Sequence, residues 1–258
     1  MSNNSENINN LKVIILAAGK GKRLQSELTQ IPKAMRLAAG KPLLHYVLKS
    51  VDFIENKKDI IIVAGFLKEI IIESFPEYTF AIQDDNNSLG YGTGAAVRYA
   101  EQAVGDYSGD VLILLGDTPL ISRETILNLY AKHKENNSDC TVLSCGINDV
   151  LAIGRILRDE DGNFADIIEN KVCSEELRQK IKEYNTGVML FNSKKLFGQL
   201  KNLNANSQTG EFYLTDIPKL FLENNYKVGV YKSLNENEIH GANSIEELEL
   251  IENILKRS

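Results

Sequence analysis

The chain has 258 residues, of which 43% are hydrophobic and 25% charged, with a formal net charge of −6. That length can bury a substantial core, and the composition is that of a folded globular protein rather than a disordered one. The acidic balance excludes a nucleic-acid partner held on a broad basic surface, so an anionic ligand requires cations gathered locally.

The first ten residues, MSNNSENINN, lack the basic and apolar regions of a signal peptide and read as a disordered polar tail. KVIILA (12–17) is a buried strand followed by a glycine-rich basic loop. PLLHYVLKSV (42–51) is an amphipathic helix, DIIIVA (59–64) a strand, LKEIIIESF (67–75) a helix and YTFAIQ (78–83) a third strand. After a second glycine-rich loop, TGAAVRYAEQAV (93–104) is one helix, DVLILLG (110–116) a strand, RETILNLYAKHKEN (123–136) a helix and DCTVLSCG (139–146) a strand. Continuous Val, Ile and Leu strands separated by helices predict a mainly parallel sheet covered on both faces.

The second half changes character. GRILRDEDGNFADIIEN (154–170) reads as two short strands around an Asp-Gly turn. EYNTGVMLF (183–191), a helix after Leu214, the strand KVGVYKS (227–233) and a final helix from Ser244 follow. These patterns predict one domain over 11–258: a nucleotide-binding half at about 11–146, a second half at about 147–243 and a helix at 244–256. Cys140, Cys145 and Cys173 are too few and too irregular for a zinc site or disulfide framework. No apolar stretch reaches the about 20 residues that span a bilayer. The expectation is a protein of a reducing cytoplasm with no membrane partner.

Two segments carry chemistry. In Leu16-Ala17-Ala18-Gly19-Lys20-Gly21-Lys22-Arg23, two glycines and three cations stand at a strand's carboxyl end, where open α/β sheets bind ligands. Glycine lets backbone N–H groups approach phosphate oxygens, and Lys and Arg neutralise them. The loop is not a P-loop, because no Ser or Thr follows a Gly-Lys pair, and Leu24 replaces the third glycine of a dinucleotide fingerprint. Lys33 adds a further cation after Pro32. In the second segment, strand 110–116 ends in Gly116-Asp117-Thr118-Pro119. A carboxylate there is costly unless compensated by positive charge, such as Mg²⁺ bridging phosphates.

LAAGKGKRL, IPK, LGYGTG, LLGDTPLIS, IGRILRDEDGNFADIIENK, EYNTGVMLF, TGEFYLTD and HGANSIEELE occur in this order. Together they resemble the sugar nucleotidyltransferases, and among them the uridyltransferase domain of the bacterial bifunctional N-acetylglucosamine-1-phosphate uridyltransferase/acetyltransferases. The resemblance runs from about Leu11 to the final helix. It implies a GT-A-like, Rossmann-like α/β fold: a mixed, mainly parallel sheet with helices on both faces and a small antiparallel sugar-binding portion. It implies that Leu16, Ala17, Ala18, Gly19, Lys20 and Gly21 hold the nucleotide and that Arg23 and Lys33 are catalytic cations. Gln83, Gly92 and Thr93 would read the base, Gly154, Glu169 and Asn185 the sugar, and Asp117 and Asn243 would bind Mg²⁺.

The sequence departs from that pattern in places. Lys22 and Leu24 stand for Thr and Met, the loop from Gln83 to Gly92 is longer, and Ile153 replaces an aromatic beside Gly154. No hexapeptide-repeat β-helix is present, so the expected activity is nucleotidyl transfer without acetyl transfer.

The implied reaction takes UTP and N-acetylglucosamine 1-phosphate to UDP-N-acetylglucosamine and pyrophosphate, in a monomer or weak homo-oligomer. Glucose 1-phosphate, dTTP or CTP as substrates, and a non-catalytic nucleotide-sugar-binding regulator, are the alternatives. His45, His133 and His240 show no triad pattern. The acidic run Asp159–Asn163 lacks the twelfth-position acid of a calcium loop, where Asn170 stands, and reads as a hairpin turn.

Overall fold

The computed structural model describes residues 10–21, 24 and 26–257. In chain order the elements are β1 (Leu11–Leu16), α1 (Ser26–Thr29), β2 (Leu37–Ala38), β3 (Lys41–Pro42), α2 (Leu43–Ser50), β4 (Ile60–Ala64), α3 (Lys68–Ser74) and β5 (Thr79–Ile82). Then come α4 (Thr93–Tyr99), α5 (Glu101–Val104), β6 (Asp110–Leu115), α6 (Arg123–Glu135), β7 (Cys140–Gly146), β8 (Arg155–Arg158) and β9 (Phe164–Ile168). The rest are α7 (Glu175–Lys180), β10 (Glu183–Asn192), α8 (Ser193–Leu200), α9 (Ile217–Glu223), β11 (Val228–Ser233) and α10 (Ile245–Leu255).

Among the described residues nine strands form one mixed sheet whose main path runs β11-β7-β10-β6-β1-β4-β5. Strands β6, β1, β4 and β5 pair in parallel, as do β7 and β11, while β10 runs antiparallel between β6 and β7. The hairpin β8–β9 joins through a Tyr184–Arg155 pairing. This is the mixed, mainly parallel sheet with an antiparallel portion that the sequence predicts.

Alternation along the strands divides the core. Ile14, Val111 and Ile113 face one layer with α4, α5, α8 and α9, whereas Val13, Ile15, Leu112 and Leu114 face α2, α3 and α6. Both faces of the central strands are therefore buried, which is why their sequences read as unbroken apolar runs.

The register places the ligand edge. Leu16 aligns with Val63 and Leu115, and Ala64 with Ile82, so β1, β4, β5 and β6 end together. The loops that follow these strands open on one edge of the sheet.

Two local differences from the sequence reading have physical causes. The predicted helix 93–104 is two helices, because the Ala100 amide donates to Val97 O (3.0 Å), a three-residue step that tightens the turn. Helices α7 and α8 were hidden in the sequence. The first is one short capped turn after Ser174, and the second begins directly where β10 ends, with Asn192 accepting from Lys195 N.

Candidate active site

The loop after β1 is pinned by Ala17 N donating to Val63 O (2.9 Å) and by Phe66 N donating to Ala18 O (3.4 Å). Leu16, Ala17, Ala18, Gly19 and Lys20 line a cavity of about 540 Å³ at the carboxyl edge. Gly21 turns the chain at φ +58 and is not among the lining residues. Lys22 and Arg23, the latter expected as a catalytic cation, lie outside the described residues.

Lys33, Asp117 and Asn243, up to 210 residues apart in sequence, meet at the floor of this cavity. Pro32 sets up the short helical turn that carries Lys33. Gly116 donates to Leu16 O (2.9 Å), and a Cβ there would lie 3.2 Å from Ala17 Cβ, so the close crossing that delivers Asp117 suits glycine. On the other side, Ser244 and Glu247 form a capping box at the start of α10, and Glu247 Oε2 also accepts from Asn243 N (2.7 Å). Asn243 Nδ2 donates to Gly241 O (3.3 Å), which turns its Oδ1 inward.

The Lys33 ammonium donates to both Asp117 Oδ2 and Asn243 Oδ1, the latter at 2.9 Å. Two oxygens thus converge on one cation. Among the described residues no group of three or more His, Cys, Asp or Glu side chains could cage a metal. A carboxylate and an amide oxygen sharing one cationic point in the cavity lining fit Mg²⁺, which keeps few protein ligands and takes the rest from phosphates and water.

A buried carboxylate braces this floor. Glu238 is fully buried and accepts from Ser122 N (3.0 Å), Thr125 Oγ1 (2.8 Å) and Ser233 Oγ (2.5 Å). It ties the loop after Asp117 to the loop before Asn243, a link no sequence pattern signalled.

At the opposite side, Gln83 donates its backbone N–H to Ala64 O (2.9 Å) and lines the cavity with Asp84, Asp85, Asn87 and Tyr91. Gly92 and Thr93 follow. Gly92 has φ +111, and an added Cβ would lie 2.6 Å from Phe212 O. The loop is clasped from both ends, by Phe212 N donating to Tyr91 O (2.7 Å) and Gly94 N to Phe212 O (2.8 Å). Thr93 Oγ1 accepts from Leu214 N (3.0 Å). The segment TGEFYLTD is therefore the backing of the second glycine loop, and its Glu211 lines the cavity. The acidic lining (Asp84, Asp85, Asp117, Glu211) outnumbers Lys20 and Lys33 among the described residues. The local excess of cations expected from the sequence is thus not present in the part of the lining that is described.

The candidate sugar residues lie together but outside that lining. Asn185 N donates to Gly154 O (2.8 Å), and Glu169 Oε2 is 3.6 Å from a Cβ built on Gly154. Glu169 Oε1 accepts from Thr215 Oγ1 (2.7 Å). A bulge in β10 aims Asn185: Gly187, at φ +83, packs where a Cβ would meet Leu115 Cδ1 at 2.5 Å, and its N–H donates to Asn185 Oδ1 (3.1 Å). Leu115 also lines the cavity, which puts the β10 bulge beside it. Burial, with Glu169 and Asp166 nearby, pushes the Asp216 carboxyl up to about 6.

Sequence reasoning missed the guanidinium beneath this trio. Arg155 is fully buried and donates to Leu151 O (2.8 Å), Ile153 O (2.9 Å) and Asn170 Oδ1 (3.1 Å), while lying over the Tyr184 ring. Its contacts thus include the chain neighbours of Gly154, Glu169 and Asn185. The strand reads RILR, and nothing in that pattern tells which of its two arginines is buried.

The remaining features take structural roles. His133 is buried 2.8 Å from Thr141 Oγ1, the three cysteines are buried and free, and Asp159 caps the β8–β9 turn by accepting from Asp161 N and Asn163 N.

A Bacillus anthracis protein described as a glucose-1-phosphate thymidylyltransferase, crystallised with sucrose, shares the fold with a TM-score of 0.74, at 21% identity and 96% of each chain. The bifunctional protein GlmU of Streptococcus uberis is 38% identical over 95% of this chain, and that of Streptococcus thermophilus is 37% identical over the same share. The chain spans about half the length of these relatives, 52% and 51%. Residues 13–215 match the family of the MobA-like NTP transferase domain, and the chain belongs to that nucleotidyltransferase family.

Proposed function

We propose that the protein transfers UMP from UTP to N-acetylglucosamine 1-phosphate, giving UDP-N-acetylglucosamine and pyrophosphate. The observation that carries this reading is the convergence of Asp117 Oδ2 and Asn243 Oδ1 on one cationic point beside the glycine-rich cavity. Similarity to the GlmU proteins over nearly the whole chain supports this substrate pair.

In this reading Leu16 to Gly21 cradle the triphosphate, Gln83, Gly92 and Thr93 receive the base, and Gly154, Glu169 and Asn185 hold the sugar. An oxygen of the sugar phosphate bonds to the α-phosphorus, the bond from that phosphorus to the bridging oxygen breaks, and pyrophosphate leaves with the electron pair. The nucleophile is already an anion, so no general base is required. Lys33 and Arg23 oppose charge on the phosphates, and the Lys33 ammonium leaves its two oxygen partners to do so. Asp117 and Asn243 would then hold Mg²⁺, which supplies neutralisation of triphosphate charge. Positioning and fixed charge account for the rate.

We read residues 11–258 as one domain, acting as a monomer or weak homo-oligomer in a reducing cytoplasm, in keeping with three free thiols. No helix among the described residues is long and apolar enough to cross a membrane. A second reading, dTTP with glucose 1-phosphate, is favoured by the name of the Bacillus anthracis fold neighbour. Pyrophosphate release across four nucleotides and several sugar 1-phosphates decides between them. Tight UTP binding with no release under any acceptor would instead mark a regulatory protein.

A further inference from the structure

We propose that Asn87 is a positioning residue that sets base specificity: it holds the Gln83 carboxamide with its oxygen toward the base, selecting the imide N–H shared by uracil and thymine and rejecting cytosine. This rests on the reading of the cavity as a nucleotide site.

Gln83 Nε2 donates to Asn87 Oδ1 at 2.7 Å, and both residues line the cavity. A free carboxamide turns over readily, exchanging a donor for an acceptor, and so discriminates poorly between a base that donates and one that accepts. Once one N–H is committed to Asn87, the Gln83 oxygen is left to accept. Uracil and thymine present N3–H to such an acceptor. Cytosine presents a lone pair at the same ring position, and two acceptors facing each other repel.

The loop is built to keep Asn87 there. Asn87 adopts φ +50, a conformation asparagine tolerates. Its N–H donates to Asp84 O (3.1 Å) and its carbonyl accepts from Gly90 N (2.7 Å). The Asp84 carboxylate accepts from Ser88 N (3.1 Å), the Ser88 hydroxyl and the Tyr99 hydroxyl (3.0 Å), the last on α4. The extra length between Gln83 and Gly92 thus forms a hydrogen-bonded turn that presents Asn87 Oδ1 to the base-reading amide.

The test compares UTP, dTTP and CTP on the full chain, by kcat/KM for pyrophosphate release and by binding calorimetry. Asn87→Gly keeps the backbone conformation and removes the acceptor, and is expected to lower the UTP:CTP ratio about tenfold. Asn87→Asp can only accept and is expected to keep that ratio within about twofold. The UTP:dTTP ratio should stay put in both, because the imide is common to the two bases. An unchanged UTP:CTP ratio in Asn87→Gly, a collapse in Asn87→Asp, or a moved UTP:dTTP ratio overturns the proposal. Absence of pyrophosphate release from the unaltered chain would count against the proposed function alone, since the binding ratio remains measurable.

Discussion

Replacing Arg155 by Met keeps the aliphatic stem and removes the guanidinium beneath the candidate sugar site. Three hydrogen bonds are lost, to Leu151 O, Ile153 O and Asn170 Oδ1. Bonds from charged donors are worth about 1.5–3 kcal/mol each, but water can replace them at these half-buried acceptors. Removing a buried charge that already has an unpartnered Nε among the described residues offsets part of the loss. The net destabilisation expected in urea unfolding is about 2–4 kcal/mol.

The functional effect should be selective, because the three contacts tie Arg155 to the chain just before Gly154 and to Asn170 beside Glu169. A displacement of about 1 Å there should raise KM for the sugar 1-phosphate about tenfold or more, while the calorimetric Kd for UTP changes less than about twofold. Arg155→Lys should rescue little, since one ammonium cannot span three diverging acceptors. An unaltered sugar-phosphate KM in a folded Arg155→Met protein refutes the positioning argument. Equal losses of UTP and sugar binding would reduce Arg155 to a general stabiliser.

Gly92→Ala should lower Tm and weaken UTP binding at least about tenfold, because the new Cβ meets Phe212 backbone at 2.6 Å in a positive-φ conformation. Gly19→Ala, where no atom of the described residues lies within 4 Å of an added Cβ, should leave Tm unchanged, and comparable Tm losses in both would remove the steric explanation. Asp216 titrates near 6 in the fold against about 4 unfolded, so ionising it costs stability progressively between those values and fully above them. Asp216→Asn should therefore raise Tm at about pH 8 and match the unaltered protein at about pH 4. An equal gain at both pH values would point to another cause.

The parts that hydrophobic pattern governs were legible in the sequence. Strands β1, β4 and β6 read correctly because both faces are buried, and the β8–β9 hairpin because Gly162 supplies the φ +81 its turn requires. The meeting of Asp117 with Asn243 was implied by the family motifs alone. No local pattern shows it, since it depends on where the segment before α10 docks, with Ala242 N donating to Asp117 O (3.0 Å). Asn87, Arg155 and Glu238 escaped because each acts through tertiary hydrogen bonds that leave no periodic trace. Helix α8 escaped because no turn signal separates it from β10.

The most direct test is the rate of pyrophosphate release from UTP and N-acetylglucosamine 1-phosphate, with and without Mg²⁺, in the unaltered chain and in Asp117→Ala. The account predicts metal-dependent release in the first and a loss of about a thousandfold in the second, with the fold retained by circular dichroism. Undiminished, metal-independent release from Asp117→Ala would contradict it.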